Sequence, residues 1–152
     1  MSTLPGAVFS PDGKWVAYAS GEGRTLSALY VQPFPPTGAR YQISKNEEFG
    51  HHPAWSPDGK ELFFVAGVNR LHVVSISTQP AFSVGEAVVL TLPFGLGALP
   101  SVERPFDVSR DGQRFLSLID ATQAAQSGKP EVPQIRAVLN WSEELKRLVL
   151  TR

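Results

Sequence analysis

The feature that most constrains this chain is a short turn phrase that occurs three times. It occupies residues 9–15, 55–61 and 108–114, so successive copies begin 46 and then 53 residues apart. Each copy lies between two apolar runs. A period in this range is typical of chains built from stacked supersecondary units, and it sets the architecture of the whole chain without setting its chemistry.

The phrase has the residues of a tight turn. Ser, Pro, Asp and Gly follow one another in the first two copies, and Arg110 replaces the proline in the third. Proline at the second turn position presets φ, Asp tolerates the third position, and Gly adopts the left-handed conformation that follows. Such a turn commonly joins two antiparallel strands. The predicted structural turn residues are Asp12, Gly13, Asp58, Gly59, Asp111 and Gly112.

Short apolar runs follow each turn at a regular spacing. Bounded runs of about five residues, rich in β-branched and aromatic side chains, indicate strands. Four short strands in 40–50 residues is the pattern of a propeller blade. We therefore predict an all-β fold: a partial β-propeller of three four-stranded antiparallel blades with a short C-terminal helix. The runs lie at 15–19, 28–31, 40–44, 62–66, 71–76, 87–90, 115–119 and 135–139.

The repeat also predicts where each blade begins and ends. The whole chain, 1–152, is predicted to be a single half-propeller. The helix is predicted because Ser142 can cap a segment with acidic residues first and basic residues last. Two stretches, 93–105 and 120–134, have the composition of loops or flexible connections. The predicted units are blade 1 at about 5–46, blade 2 at about 51–92, blade 3 at about 103–141 and the helix at about 142–149.

Composition excludes several classes of function. The 14 basic residues balance the 14 acidic ones and are scattered, so no nucleic-acid partner is expected. The chain has no cysteine, which excludes disulfides and thiolate chemistry. We also expect no membrane span and no signal peptide in this chain, because it lacks a long apolar stretch and a basic, apolar start. None of these features assigns a compartment.

Beyond the turn phrase, several segments resemble a known family. The Trp-Ser-Pro-Asp-Gly-Lys core at 55–60 resembles the WD40-like PD40 repeats of TolB-type propellers. The segments 28–35, 41–44 and 138–146 resemble the C-terminal propeller region of bacterial eukaryotic-like serine/threonine kinases. That resemblance implies a propeller that senses or binds something, and it favours an extracytoplasmic or periplasmic location. The kinase motifs themselves are absent from this sequence, so it implies no ATP binding or phosphoryl transfer.

Three blades are too few to close a ring. Propellers of this family usually have six or more, so we expect the chain to be the C-terminal half of one, with an uncovered blade face at each end. The missing half could lie on another chain, the chain could remain an open arc, or two copies could pair about a twofold axis. A homodimer of this last kind would complete a six-bladed ring.

Four residues are the predicted ligand-binding candidates. Alignment of the repeats places His51, His52, Glu103 and Arg104 just before the innermost strands of blades 2 and 3, at the mouth of the central channel. Solvated loop residues are the alternative interpretation. Neighbouring residues of a strand point to opposite faces, so we expect the two histidines to diverge and no metal site to form. The three tryptophans, Trp15, Trp55 and Trp141, are predicted to be core residues, with Trp55 between blades.

No motif in the sequence supports catalysis, and no catalytic residue or cofactor is predicted. The preferred interpretation is a non-catalytic binding or interaction module, a sensor- or scaffold-type propeller half whose protein or small-molecule ligand is unknown. One alternative is a hydrolase or lyase with its site in the channel of an assembled six-blade ring. The other is a structural fragment of a longer kinase-linked propeller.

Overall fold

A computed structural model describes residues 6–21, 27–45, 49–92, 95–96, 104–112, 114–118 and 135–139. All regular structure in these residues is β-strand. None of the described part of the chain forms a helix that could cross a membrane. The strands are β1 (Val8–Phe9), β2 (Trp15–Ser20), β3 (Ala28–Pro33), β4 (Tyr41–Gln42), β5 (His51–Trp55), β6 (Glu61–Val65), β7 (Arg70–Ser77), β8 (Ser83–Val84), β9 (Val88–Thr91), β10 (Phe106–Val108), β11 (Arg114–Leu118) and β12 (Ile135–Leu139).

The strands form three antiparallel sheets that follow one another along the chain. The first sheet has the order β1-β2-β3-β4, which is the predicted four-stranded blade. The second contains β5, β6 and β7, and both β8 and β9 pair with β7. It therefore has five strands rather than four. The third sheet has the order β10-β11-β12 within the described residues.

Some sequence predictions fall outside the residues that the structure describes. These are the helix at 142–149, the connection at 120–134 and most of the connection at 93–105. Trp141 also lies there.

Each sheet packs on the next through an apolar layer. The first layer lies between sheets 1 and 2, and Ala17 and Leu29 contribute to it from sheet 1, with Trp55 and Phe64 from sheet 2. Trp55 thus packs between blades as predicted. The two side chains of sheet 1 and Phe64 are each at most 1% exposed. Burial of a large side chain such as Leu29 or Phe64 stabilises the sheet pair by about 1.5–3 kcal/mol, and burial of the Ala17 methyl group by less.

The second layer uses the other face of sheet 2. Phe63 and Val65 alternate along β6 with the residues of the first layer, and they pack against Phe106 and Phe115 of sheet 3. The rings of Phe63 and Phe115 meet edge to face with centroids 5.0 Å apart. Sheet 2 is therefore covered on both faces, and this succession of stacked sheets is that of a partial β-propeller.

The repeated phrase forms the same turn in every sheet. In each turn the glycine N–H donates to the carbonyl of the serine three residues before it, at 2.9, 2.9 and 2.8 Å. The glycines have φ of 70°, 72° and 67°, a conformation that side chains with a β-carbon resist. Each serine hydroxyl also donates to the aspartate carboxylate two residues later. The three aspartates are therefore occupied within their own turns.

Candidate functional site

The turns of successive sheets contact each other in a repeated way. Pro11 of sheet 1 covers Gly59 of sheet 2, since a β-carbon at Gly59 would lie 3.5 Å from the proline Cδ. Pro57 of sheet 2 covers Gly112 of sheet 3 with the corresponding distance of 3.6 Å. The rule at both junctions is that the second turn residue of one sheet packs on the turn glycine of the next.

The same contact is incomplete at both ends of the described arc. No heavy atom of the described residues lies within 4 Å of a β-carbon placed on Gly13. At the other end, Arg110 takes the position of Pro11 and Pro57, and it is exposed. Gly13 therefore has no covering residue from a preceding sheet within the described chain, and Arg110 covers no following glycine there.

Within the described residues, sheet 1 has a partly uncovered aromatic face. The strand registers place Phe9, Val16, Tyr18 and Phe34 on the side opposite the first apolar layer; we call these four residues the open face of sheet 1. Tyr30 lies on the same side but is only 6% exposed, with the Arg40 guanidinium 4.4 Å above its ring. Phe9 and Phe34 pair edge to face at 5.0 Å, and the two tyrosines stack at 5.9 Å. Phe9 is 57% exposed and Phe34 is 48% exposed. Large exposed apolar patches mark interaction surfaces.

Within the part of the chain that the structure describes, sheet 3 also has an uncovered face. Asp107, Arg114 and Leu116 lie on the side opposite the second apolar layer; we call these residues the open face of sheet 3. Leu116 is 45% exposed. A shallow depression of about 260 Å³ beside it is lined in part by Val108 and Phe115. This face combines one exposed apolar side chain with charges of both signs.

The two predicted histidine candidates form a buried pair at the start of β5. His51 and His52 are each 1% exposed, and their Nδ1 atoms are 2.7 Å apart. A hydrogen bond at this distance requires one ring to donate its Nδ1 proton and the other to accept it. The histidines are thus strand residues inside the fold rather than residues that precede the strand, and the solvated-loop interpretation is wrong for them.

The expectation that the two rings diverge is also wrong. His52 has φ of 52°, and the pairing of β5 with β6 is irregular between His51 and Ala54. A left-handed residue breaks the alternation of an extended strand, so both rings can lie on one side. This conformation is uncommon for a residue other than glycine and costs of order 1–3 kcal/mol.

Burial also changes the acid–base behaviour of the pair. Loss of solvent, followed by the nearby His52 ring, lowers the pKa of His51 from 6.5 to about 4. His51 is therefore expected to be neutral at physiological pH. Among the residues that the structure describes, no group of three or more potential ligands gathers around a metal position.

Arg104 links the start of sheet 3 to sheet 2 through hydrogen bonds. Its Nη1 donates to the carbonyl of Pro53 at 3.1 Å and its Nε to the carbonyl of Phe106 at 2.9 Å. Its Nη2 forms an ion pair with Asp107 at 3.2 Å. The structure therefore brings Arg104 close to the histidine pair through Pro53, whereas Glu103 lies outside the described residues. Ligand binding by these four residues stays a prediction.

A groove of about 700 Å³ runs beside the turns of sheets 1 and 2. Trp15 and Trp55 line it, together with Asp12, Asp58 and Lys60. Both aspartates accept hydrogen bonds from their own turns through Oδ1. These bonds, with the serine hydroxyl as the largest cause, lower the pKa of each carboxyl. The groove was not expected from the sequence, because its walls come from residues up to 69 positions apart.

Comparison with known proteins adds little to this description. Among solved structures, the crystal structure of TolB from Acinetobacter baumannii is similar to this chain, with 20% sequence identity and a TM-score of 0.38. The alignment covers 76% of this chain and 37% of that one, so the chain spans just over a third of that TolB. No family model matches the sequence, and no curated protein matches it.

Proposed function

We propose that this chain is a non-catalytic interaction module, a propeller half that binds a protein partner through the open face of sheet 1. The observation that supports the proposal is the contrast between two equivalent residues. Phe9 and Trp55 each directly precede the turn serine of their sheets. Trp55 is 9% exposed because sheet 1 covers it, whereas Phe9 is 57% exposed.

This contrast indicates the kind of partner that would cover the open face of sheet 1. A propeller blade is stable because each apolar face is covered by a neighbour, and a flat aromatic face left in water favours association. Fully covering a residue such as Phe9 is worth about 1.5–3 kcal/mol. The face therefore suits a partner shaped like another blade. The resemblance to the propeller region of bacterial kinases fits the same scaffold or sensor role.

A matched pair of variants tests the proposal. Phe9→Glu places a charge in the open face, whereas Val68→Glu changes a side chain that is 61% exposed and lies between β6 and β7, away from both open faces. We expect sedimentation of the purified chain to show self-association for the wild type and for Val68→Glu, and no self-association for Phe9→Glu. Association that survives Phe9→Glu unchanged, or a wild type that associates with nothing, would contradict the proposed role of this face.

A further inference from the structure

The two open ends of the described arc are complementary under the rule that governs its internal junctions. At each junction, the second turn residue of one sheet packs on the turn glycine of the next. A second contact also follows a rule. The residue four positions after the turn glycine of one sheet packs on the residue three positions after the turn glycine of the next sheet, as Phe63 does on Phe115. Applied to the open ends, the same rule pairs Arg110 with Gly13 and Leu116 with Val16.

From this we infer that the partner for the open face of sheet 1 is a second copy of this chain, seated with the open face of its sheet 3. This inference rests on the proposed function and specifies its partner. The copies are related by a twofold axis, so each junction occurs twice. The product has six blades, within the range of four to eight typical of propellers.

Exposure on the two faces supports this choice of partner. Leu116 is 45% exposed, while its counterpart in sheet 2, Phe63, is fully buried against sheet 3. Phe9 of the open face of sheet 1 has the buried counterpart Trp55. Each face thus exposes an apolar side chain at a position that the internal junctions bury.

Charge at the turns is complementary between Arg110 of one copy and Asp12 of a second copy. Arg110 stands where the internal junctions have proline, and Asp12 precedes the glycine that it would cover. Both Arg110 and Asp12 are exposed. The stem of an arginine can pack on a glycine while its guanidinium reaches a neighbouring carboxylate. The arginine is therefore a suitable replacement for proline if the following turn is the one at 10–13.

Site-directed cross-linking tests the geometry, because the chain has no cysteine of its own. The test protein carries Val16→Cys and Leu116→Cys, and the probe is a short bifunctional maleimide. The matched control carries Val89→Cys and Leu116→Cys, since Val89 is 41% exposed on β9 and lies away from both open faces. A protein with Leu116→Cys alone detects links between two equivalent positions.

We expect a covalent dimer from the 16/116 protein, with peptide mapping that joins position 16 to position 116, and at least five-fold less from both controls. Arg110→Gln should weaken dimerisation about two- to thirty-fold, because the dimer contains two copies of this exposed ion pair, and Arg110→Pro should restore it. A wild-type dimer without the 16–116 link would overturn this inference and leave the proposed function standing. A wild type that stays monomeric at all concentrations would overturn both.

Discussion

Pro11 covers Gly59, with its Cδ 3.5 Å from the place of a glycine β-carbon, and this contact joins the turns of two successive sheets. Gly59 itself has φ of 72°. Two requirements therefore meet at one residue: a left-handed backbone for its own turn and a flat surface for the preceding one. The same two requirements recur at Gly112, which Pro57 covers.

Replacing Gly59 by Val should destabilise the chain by about 1–3 kcal/mol, because a β-branched side chain resists the left-handed conformation. Asparagine tolerates this conformation better, so Gly59→Asn is the matched control and should cost less. Urea denaturation followed by circular dichroism measures both. Equal stability of the valine variant and the wild type would show that the turn does not need a left-handed residue.

The histidine pair predicts a pH dependence of stability. The pKa of His51 is lowered to about 4 in the folded chain, whereas an unfolded histidine has a pKa near 6.5. The unfolded state therefore takes up a proton first as the pH falls. The contribution is fully present above about pH 6.5, declines between pH 6.5 and 4, and stays level below pH 4. The loss should be about 2–3 kcal/mol.

Denaturation at pH 7.5, 5.5 and 4.5 measures this loss. His51→Gln removes the titrating ring, so its stability should depend less on pH over the same interval. The carboxyls of Asp12 and Asp58 lose their contribution only at lower pH, because their pKa values are lowered from 3.8. Burial raises the pKa of Glu61 from 4.5, so its protonation opposes part of the loss near pH 4.5, and the comparison with His51→Gln removes this contribution because both proteins contain Glu61. Equal pH dependence of the wild type and His51→Gln from pH 7.5 to 4.5 would contradict a buried, neutral His51.

Arg104 should matter for stability more than its place in a loop suggests. Its guanidinium donates to two backbone carbonyls and pairs with Asp107. Arg104→Met should cost about 1–3 kcal/mol, because it leaves the Pro53 and Phe106 carbonyls without these donors. Lys60→Met is the control, since Lys60 forms an exposed pair with Asp58 at 3.7 Å that is worth at most about 1 kcal/mol and lies outside both open faces.

Both variants can be compared in one thermal denaturation series. If Arg104→Met and Lys60→Met lowered the midpoint by the same amount, the hydrogen bond from Arg104 to Pro53 would contribute no more to stability than an exposed ion pair. A larger loss for Arg104→Met would support its role in joining sheet 3 to sheet 2.

The sequence was sufficient to predict the strands because local rules determine them here. Turn residues with fixed backbone preferences separate short apolar runs, and the alternation along β6 assigns Phe63 and Phe64 to opposite layers. The number of strands in sheet 2 was wrong because β7 is eight residues long and pairs with β8 and β9 on different stretches. Strands of two residues, such as β8, leave almost no pattern in a sequence.

The candidate site could not be predicted to the same extent. Alternation assigned the two histidines to opposite faces, and nothing in the sequence pattern marks His52 as left-handed. The hydrogen bond from Arg104 to the Pro53 carbonyl joins residues 51 positions apart, and a local sequence pattern cannot reveal such a contact. Alignment of the repeats, in contrast, was enough to match Phe9 with Trp55, and only their exposure required the structure.

Small-angle X-ray scattering on the wild-type chain, measured as it elutes from a sizing column, tests the central claim most directly. The technique reports mass and radius of gyration together. We predict a mass twice the 16.5 kDa of the chain and a radius of gyration of about 19 Å, the value for a compact particle of this size. A particle of single-chain mass, or a dimer with a clearly larger radius, would contradict a closed ring of six blades.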